Sequence, residues 1–190
     1  MNNQVNDQAL NERQTAILAG GCFWCLEAVY EDMQGVISVE SGYLNGSAPN
    51  PTYEAVCTGK TGHAEAVRIV FDPNEISYRD LLEVFFVIHD PTQLNRQGND
   101  SGTQYRSGIY WLDDSQRDIA RDVVAELERE HAYTAPIVTE LAPAQTYYAA
   151  EDYHRQYYQR HTSQPYCAFV VAPKLEKFRQ KFARLRKSVA

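Results

Sequence analysis

Residues 15–19, Thr-Ala-Ile-Leu-Ala, form a short apolar run that stops at Gly20-Gly21, the pattern of a buried strand entering a tight turn. From Cys22 the apolar spacing changes to three and four, through Leu26, Val29, Tyr30 and Met33, and predicts a helix closed by Gly35. Residues 36–44 then alternate, with Ile37, Val39, Ser41 and Tyr43 on one face and Val36, Ser38 and Glu40 on the other, as a strand does. This is a β-α-β unit. A loop rich in Asn, Gly, Ser and Pro runs from Asn45 to Thr52. A second unit follows: a strand over residues 63–71 closed by Asp72-Pro73, a Ser77-capped helix with Leu81, Leu82, Phe85, Phe86 and Ile88 on its core face, and a strand over residues 105–112. Between that helix and that strand lies a polar loop, Thr92 to Thr103, of a length that compact domains usually reserve for a site.

Beyond residue 112, Ile119, Val123, Val124 and Leu127 mark a longer helix, and residues 137–141 read as a short edge strand after Pro136. Residues 151–160 are aromatic and polar with a helical tendency, and Leu175, Phe178, Phe182 and Leu185 give the last helix its apolar side. Residues 1–13 are polar and aperiodic, which predicts a flexible tail ahead of a single domain over residues 14–190. The class expected is α+β, a mixed sheet covered by helices.

Composition narrows the function without naming it. The chain has 190 residues, 44% hydrophobic and 23% charged, so one globular domain is expected. No apolar run is long enough to span a membrane, and the first residues lack the basic-then-apolar order of a signal peptide; a cytoplasmic protein is expected. A net charge of −7 argues against nucleic acid as a partner. The charge is uneven, since residues 174–190 hold seven Lys or Arg and one Glu, +6, which leaves −13 elsewhere. Cations suit the C-terminal end of a last helix, and an acidic docking partner is the lesser alternative.

Four cysteines in such a chain point to reactive or metal-binding thiols before structural disulfides. Cys22 lies where a strand, a glycine turn and a helix start meet, a position that favours a thiolate and predicts a lowered thiol pKa. Phe23 and Trp24 follow at once, and adjacent aromatics on a helix cannot both face one interior stripe. Cys25 completes a C-x-x-C, shared by zinc sites and thiol oxidoreductases. Zinc would need further ligands, and Cys57, His63 and Cys167 each stand alone, so no metal is expected and a dithiol fits better. Cys57, in the strand-like Val-Cys-Thr-Gly, reads as structural. Strand parity puts Glu65 on the face of Val67, Ile69 and Phe71; a carboxyl aimed into apolar surroundings keeps its proton and suits a general acid. Asp100, in Gly98-Asn99-Asp100, orients a polar group or makes a turn, and Tyr53 and Tyr105 offer phenol donors. From these residues alone the readings are a sulfur nucleophile with an acid beside it, a thioredoxin-like disulfide oxidoreductase, and a zinc-binding interaction module.

Taken in order, GCFWCLEAV, SGYLNG, NPTYEAVCTGKTGHAEAVRIVFDP, HDPTQLNRQGNDSGTQYRS and YCAFVVAPK resemble the A-type peptide methionine sulfoxide reductases, from about Ala16 to Pro173. The resemblance implies a ferredoxin-like α/β plait with a long C-terminal extension. It implies Cys22 as nucleophile, Phe23 and Trp24 as the pocket for the substrate's S-methyl group, Glu65 as the acid that protonates the sulfoxide oxygen, Tyr53 and Tyr105 as phenol donors, and Asp100 as a polar residue of the same site. The reaction implied is reduction of methionine S-sulfoxide, free or in proteins, through a sulfenic acid on Cys22. A second thiol, Cys167 or else Cys25, then closes an intramolecular disulfide that thioredoxin reduces. No cofactor is implied, and a monomer is expected.

Overall fold

The computed structural model describes residues 13–189, so residues 1–12 of the expected tail lie outside the described residues. The apolar run at the start is β1 (Gln14–Ala19), the strand on which the sheet is built. It pairs antiparallel with β3 (Ala64–Phe71) on one side and with β6 (Gly108–Trp111) on the other, with Leu18 opposite Val67 and Ile109. β2 (Val36–Leu44) pairs antiparallel with β3, setting Tyr43 opposite Glu65. Two edge strands complete a six-stranded sheet: β7 (Glu140–Pro143), parallel to β6, and β8 (Tyr148–Ala149), against β2. The order is β7-β6-β1-β3-β2-β8, a mixed sheet.

Helices α1 (Phe23–Glu31) and α3 (Tyr78–Ile88) link the inner strands in the two β-α-β units expected. They bury Leu26, Val29, Leu81 and Phe85 against Ala16, Leu18, Val67 and Ile69 in the main core. Alternation along the same strands sends Ile17, Ala19, Ala66 and Tyr110 to the opposite face, where Ala142, Ala144 and Tyr147 cover them. α4 (Asp114–Arg129) begins at the Asp113 cap and packs on α3. α6 (Ala172–Lys181) has Pro in its first turn and lies across α1 and α3 on Leu175 and Phe178.

Several local expectations change. Ile37 is 44% exposed because the β2-β3 register shifts between Val36 and Ser38, which breaks the parity that placed it inside. Cys57 is not in a strand: it ends the short helix α2 (Tyr53–Cys57), where the Thr52 side chain caps the Ala55 amide and outweighs local β propensity. The polar loop carries a small hairpin, β4 (Arg96–Gln97) with β5 (Asp100–Ser101), and Tyr105 closes a 3-10 turn ahead of β6. β7 starts at Glu140, so residues 137–139 of the expected strand are irregular. Only Tyr157–Arg160, α5, is α-helical within 151–160. Before α6, Cys167–Val171 form a π-helical turn.

Candidate active site

The turn between β1 and α1 fixes Cys22. Gly21 has φ 90°, and a Cβ there would meet the Gln97 side chain at 2.8 Å, so only glycine lets the chain turn this close to the hairpin loop. Cys22 follows as the N-cap of α1, in extended backbone and 7% exposed. A helix start favours a thiolate, yet burial, then Glu65 and Cys25, push the Cys22 thiol well above its ordinary range; the Trp24 amide and the Tyr166 hydroxyl pull the other way and lose. The lowered pKa expected from the helix position alone is therefore not found. Desolvation and a neighbouring acid outweigh the dipole.

Glu65 reaches the site from β3. Strand parity holds here, with Glu65, Val67, Ile69 and Phe71 all buried. The Phe23 amide, one of the N–H groups a helix start leaves without an intrahelical partner, donates to Glu65 Oε1 at 3.3 Å. Oε2 is buried with no hydrogen-bond partner among the described residues. Burial pushes this carboxyl up to about 8 in spite of the Phe23 hydrogen bond, and Asp100 adds to the rise. At neutral pH the site accordingly holds a proton on sulfur and a proton on Glu65.

Around this pair stands an aromatic wall. Phe23 is fully buried, its ring 4.9 Å from His154 and 5.7 Å from Tyr43, centroid to centroid. Trp24 turns elsewhere, as two adjacent helical aromatics must: it stacks on Tyr157 at 3.7 Å with 5° between the planes, and its indole N–H donates to His154 Nδ1 at 3.0 Å. Tyr53 starts α2, and Glu151 holds it there by accepting from the Tyr53 amide at 2.9 Å and from the Tyr43 hydroxyl at 3.0 Å. Burial first and Glu65 second raise both Tyr53 and Tyr105, so the two phenols stay protonated and able to donate. Asp100 accepts from the Tyr166 hydroxyl at 2.5 Å.

The fold thus gathers Cys22, Phe23, Trp24, Tyr53, Glu65 and Tyr105 in one place, with Asp100 one hydrogen bond behind. Sequence reading missed His154, Tyr157, Tyr166 and Glu151. Their only signal was the density of Tyr and His over residues 147–166, which fixes no partner. All four cysteines are free thiols. Cys25 is 1% exposed, and its amide donates to the Cys22 carbonyl at 3.1 Å. Cys167 is buried with its thiol on Gln164 Oε1 at 3.4 Å, and Cys57 is exposed at the end of α2. Among the described residues no three His, Cys, Asp or Glu side chains converge as a metal site requires.

The family model described as peptide methionine sulfoxide reductase matches residues 14–186. A protein named peptide methionine sulfoxide reductase MsrA from Polynucleobacter asymbioticus is 61% identical over 183 residues, 96% of either chain. Among solved structures, methionine sulfoxide reductase A of Corynebacterium diphtheriae is 38% identical with a TM-score of 0.75, over 78% of this chain and 75% of that one. Reduced Mxr1 from Saccharomyces cerevisiae is 32% identical, also with a TM-score of 0.75, over 82% of this chain and 90% of its own. The thiol presented on a glycine turn and the buried acid beside it are thus found in a chain matched by that family over almost its whole length, and the chain belongs to the peptide methionine sulfoxide reductases.

Proposed function

We propose that the chain reduces the S-epimer of methionine sulfoxide, free and in proteins, with Cys22 as nucleophile and Glu65 as acid. One observation carries the assignment: Glu65 Oε1 is tied to the amide next to Cys22, while Oε2 is buried and, among the described residues, unpartnered. A sulfoxide oxygen is a poor leaving group, so attack on sulfur needs a proton at oxygen. Glu65 delivers it. Tyr53 and Tyr105 donate to the same oxygen as charge builds there, in the manner of an oxyanion hole. Phe23 and Trp24, with His154 and Tyr157 behind them, enclose the S-methyl group. As the sulfur of Cys22 bonds to the substrate sulfur it gives up its own proton, which restores Glu65; the hydroxyl then passes from the substrate sulfur to the Cys22 sulfur as the sulfur–sulfur bond between them breaks, so methionine leaves and Cys22 carries the oxygen as a sulfenic acid.

Cys167, or else Cys25, condenses with that sulfenic acid and releases water, and an external dithiol opens the disulfide by exchange. We assign thioredoxin as that dithiol on the likeness of the motifs; a further solved structure, 22% identical with a TM-score of 0.53, is Mxr1 from Saccharomyces cerevisiae in complex with Trx2. The burial of Cys25 inside α1 speaks against an exposed C-x-x-C acting on disulfides at large. We read the four inner strands, in the order β6-β1-β3-β2, as a ferredoxin-like plait, and residues 14–190 as one catalytic domain with a long C-terminal extension. A cytoplasmic monomer is the form we propose; among the described residues no helix is long and apolar enough to cross a membrane.

The test is a single turnover of the reduced chain with a methionine S-sulfoxide, counting methionine formed. Cys22→Ser is expected to form none. A normal yield from that variant removes Cys22 as the nucleophile.

A further inference from the structure

Tyr53, placed above on the sulfoxide oxygen, stands on a weak foundation. α2 is five residues long, and the loop ahead of it passes through two left-handed asparagines, Asn45 at φ 59° and Asn50 at φ 45°. A helix of little more than one turn is not stable by itself and leaves its first amides without partners. Thr52 secures one of them, its hydroxyl oxygen accepting from the Ala55 amide at 3.2 Å. The Tyr53 amide is taken up from 98 positions away, by Glu151 Oε2 at 2.9 Å. The other oxygen of the same carboxylate, Oε1, accepts from the Tyr43 hydroxyl at 3.0 Å. Tyr43 is fully buried on β2, opposite Glu65. Both tyrosine rings border Phe23, that of Tyr43 at 5.7 Å and that of Tyr53 at 6.3 Å between centroids.

Glu151 is itself held by the sheet. It follows β8, whose Tyr148 and Ala149 pair with Tyr43 and Gly42, and the Ala150 amide donates to the Ser41 carbonyl at 2.9 Å. Its own carbonyl accepts from the His154 amide at 3.0 Å. Among the described residues no Lys or Arg pairs with the carboxylate. Its two oxygens serve the two tyrosines.

We propose that Glu151 is a positioning residue for the first chemical step: by pinning the start of α2 to Tyr43 on β2, its carboxylate sets the Tyr53 hydroxyl at the place where the sulfoxide oxygen gathers charge. The inference rests on the reading above in which Tyr53 donates to that oxygen. A phenol hydroxyl stands at the far end of its ring, so a small tilt of α2 carries it out of hydrogen-bond reach. A donor aimed where charge develops binds the transition state more strongly than the ground state. Its misplacement therefore lowers the saturating rate and leaves half-saturation in place.

The experiment measures first-turnover kinetics of the full chain with acetylated methionine sulfoxide amide in Glu151→Ala, Tyr53→Phe and the double variant. Each single change is expected to lower the saturating rate by about 10- to 100-fold and to keep half-saturation within about twofold of the unaltered chain. The double variant should be no slower than Tyr53→Phe, because Glu151 acts through the hydroxyl already removed. Glu151→Gln can accept the Tyr53 amide through its carbonyl and turn its amide hydrogens to the Tyr43 hydroxyl, and should restore the rate to within about threefold. Should Glu151→Ala not fold, Tyr43→Phe takes its place: losing one bond to the carboxylate should slow the saturating rate about threefold, and only where the Tyr53 hydroxyl is present. An unslowed Glu151→Ala or its stand-in, losses that multiply in the double variant, or a shift of half-saturation alone overturns the proposal. Tyr53→Phe as fast as the unaltered chain overturns it by another route, since it removes the phenol donor from the mechanism as well.

Discussion

An unperturbed glutamic acid gives up its proton near pH 4.3. Glu65 keeps its proton to about 8 because burial penalises the anion more than the Phe23 amide stabilises it. Between those two pH values the unfolded chain binds fewer protons than the folded one, so this residue lowers stability as pH rises through that window, and the penalty is complete above about 8. Glu65→Gln should therefore gain on the order of several kcal/mol at pH 8.5 in urea unfolding. The same variant should lose about 10²- to 10⁴-fold in first-turnover rate, the usual worth of a general acid. A variant that is less stable and equally fast would remove Glu65 as the acid. Strand parity made the carboxyl's apolar surroundings legible in the sequence. The state of Cys22 was not legible, because the group that does most to oppose its ionisation after burial, Glu65, comes from 43 positions away and only the fold brings it near.

Elements were legible where one local signal ruled. The β1-turn-α1 unit is written in an apolar run, two glycines and a helical period, and α3 in a Ser77 cap that closes a capping box with Asp80. Ser77→Ala is expected to cost about 1 kcal/mol in denaturant unfolding and to leave first-turnover kinetics alone. Gly21→Ala tests the opposite kind of position. Its φ of 90° and the 2.8 Å approach to Gln97 should make it cost about 1–2 kcal/mol and slow the first turnover as well, because the strain falls one residue before Cys22. Equal kinetics in the two variants would mean that the turn does not set the thiol. Elements were misread where two signals competed. Alternation over residues 36–44 concealed a shifted register at Ile37, and the β-like Val-Cys-Thr-Gly concealed a helix capped from Thr52.

On the scale of the whole molecule, the charge asymmetry has an internal answer. The basic C-terminal segment runs back over the end of α1, where Arg179 pairs with Asp32 at 2.9 Å and the Lys187 amide donates to the Asp32 carbonyl at 2.8 Å. The amphipathic last helix could be read from sequence; its path could not, since nothing local connects residue 187 to residue 32. The same wrapping buries Cys167 in a π-helical turn against the core. Cys167→Ser and Cys25→Ser should each form one methionine per chain in a first turnover, and only loss of the true resolver should stop repeated turnover with thioredoxin. Sustained turnover in both variants would exclude an obligatory role for either thiol.

All of this depends on a carboxyl group that stays protonated beside a buried thiol. Difference infrared spectroscopy of the reduced chain against Glu65→Gln measures it directly, through the C=O stretch of a protonated acid. That band should be present at pH 7 and titrate away with a midpoint near 8. A band already lost by pH 6 would mean that Glu65 is an anion when substrate arrives, and would contradict its role as the proton donor.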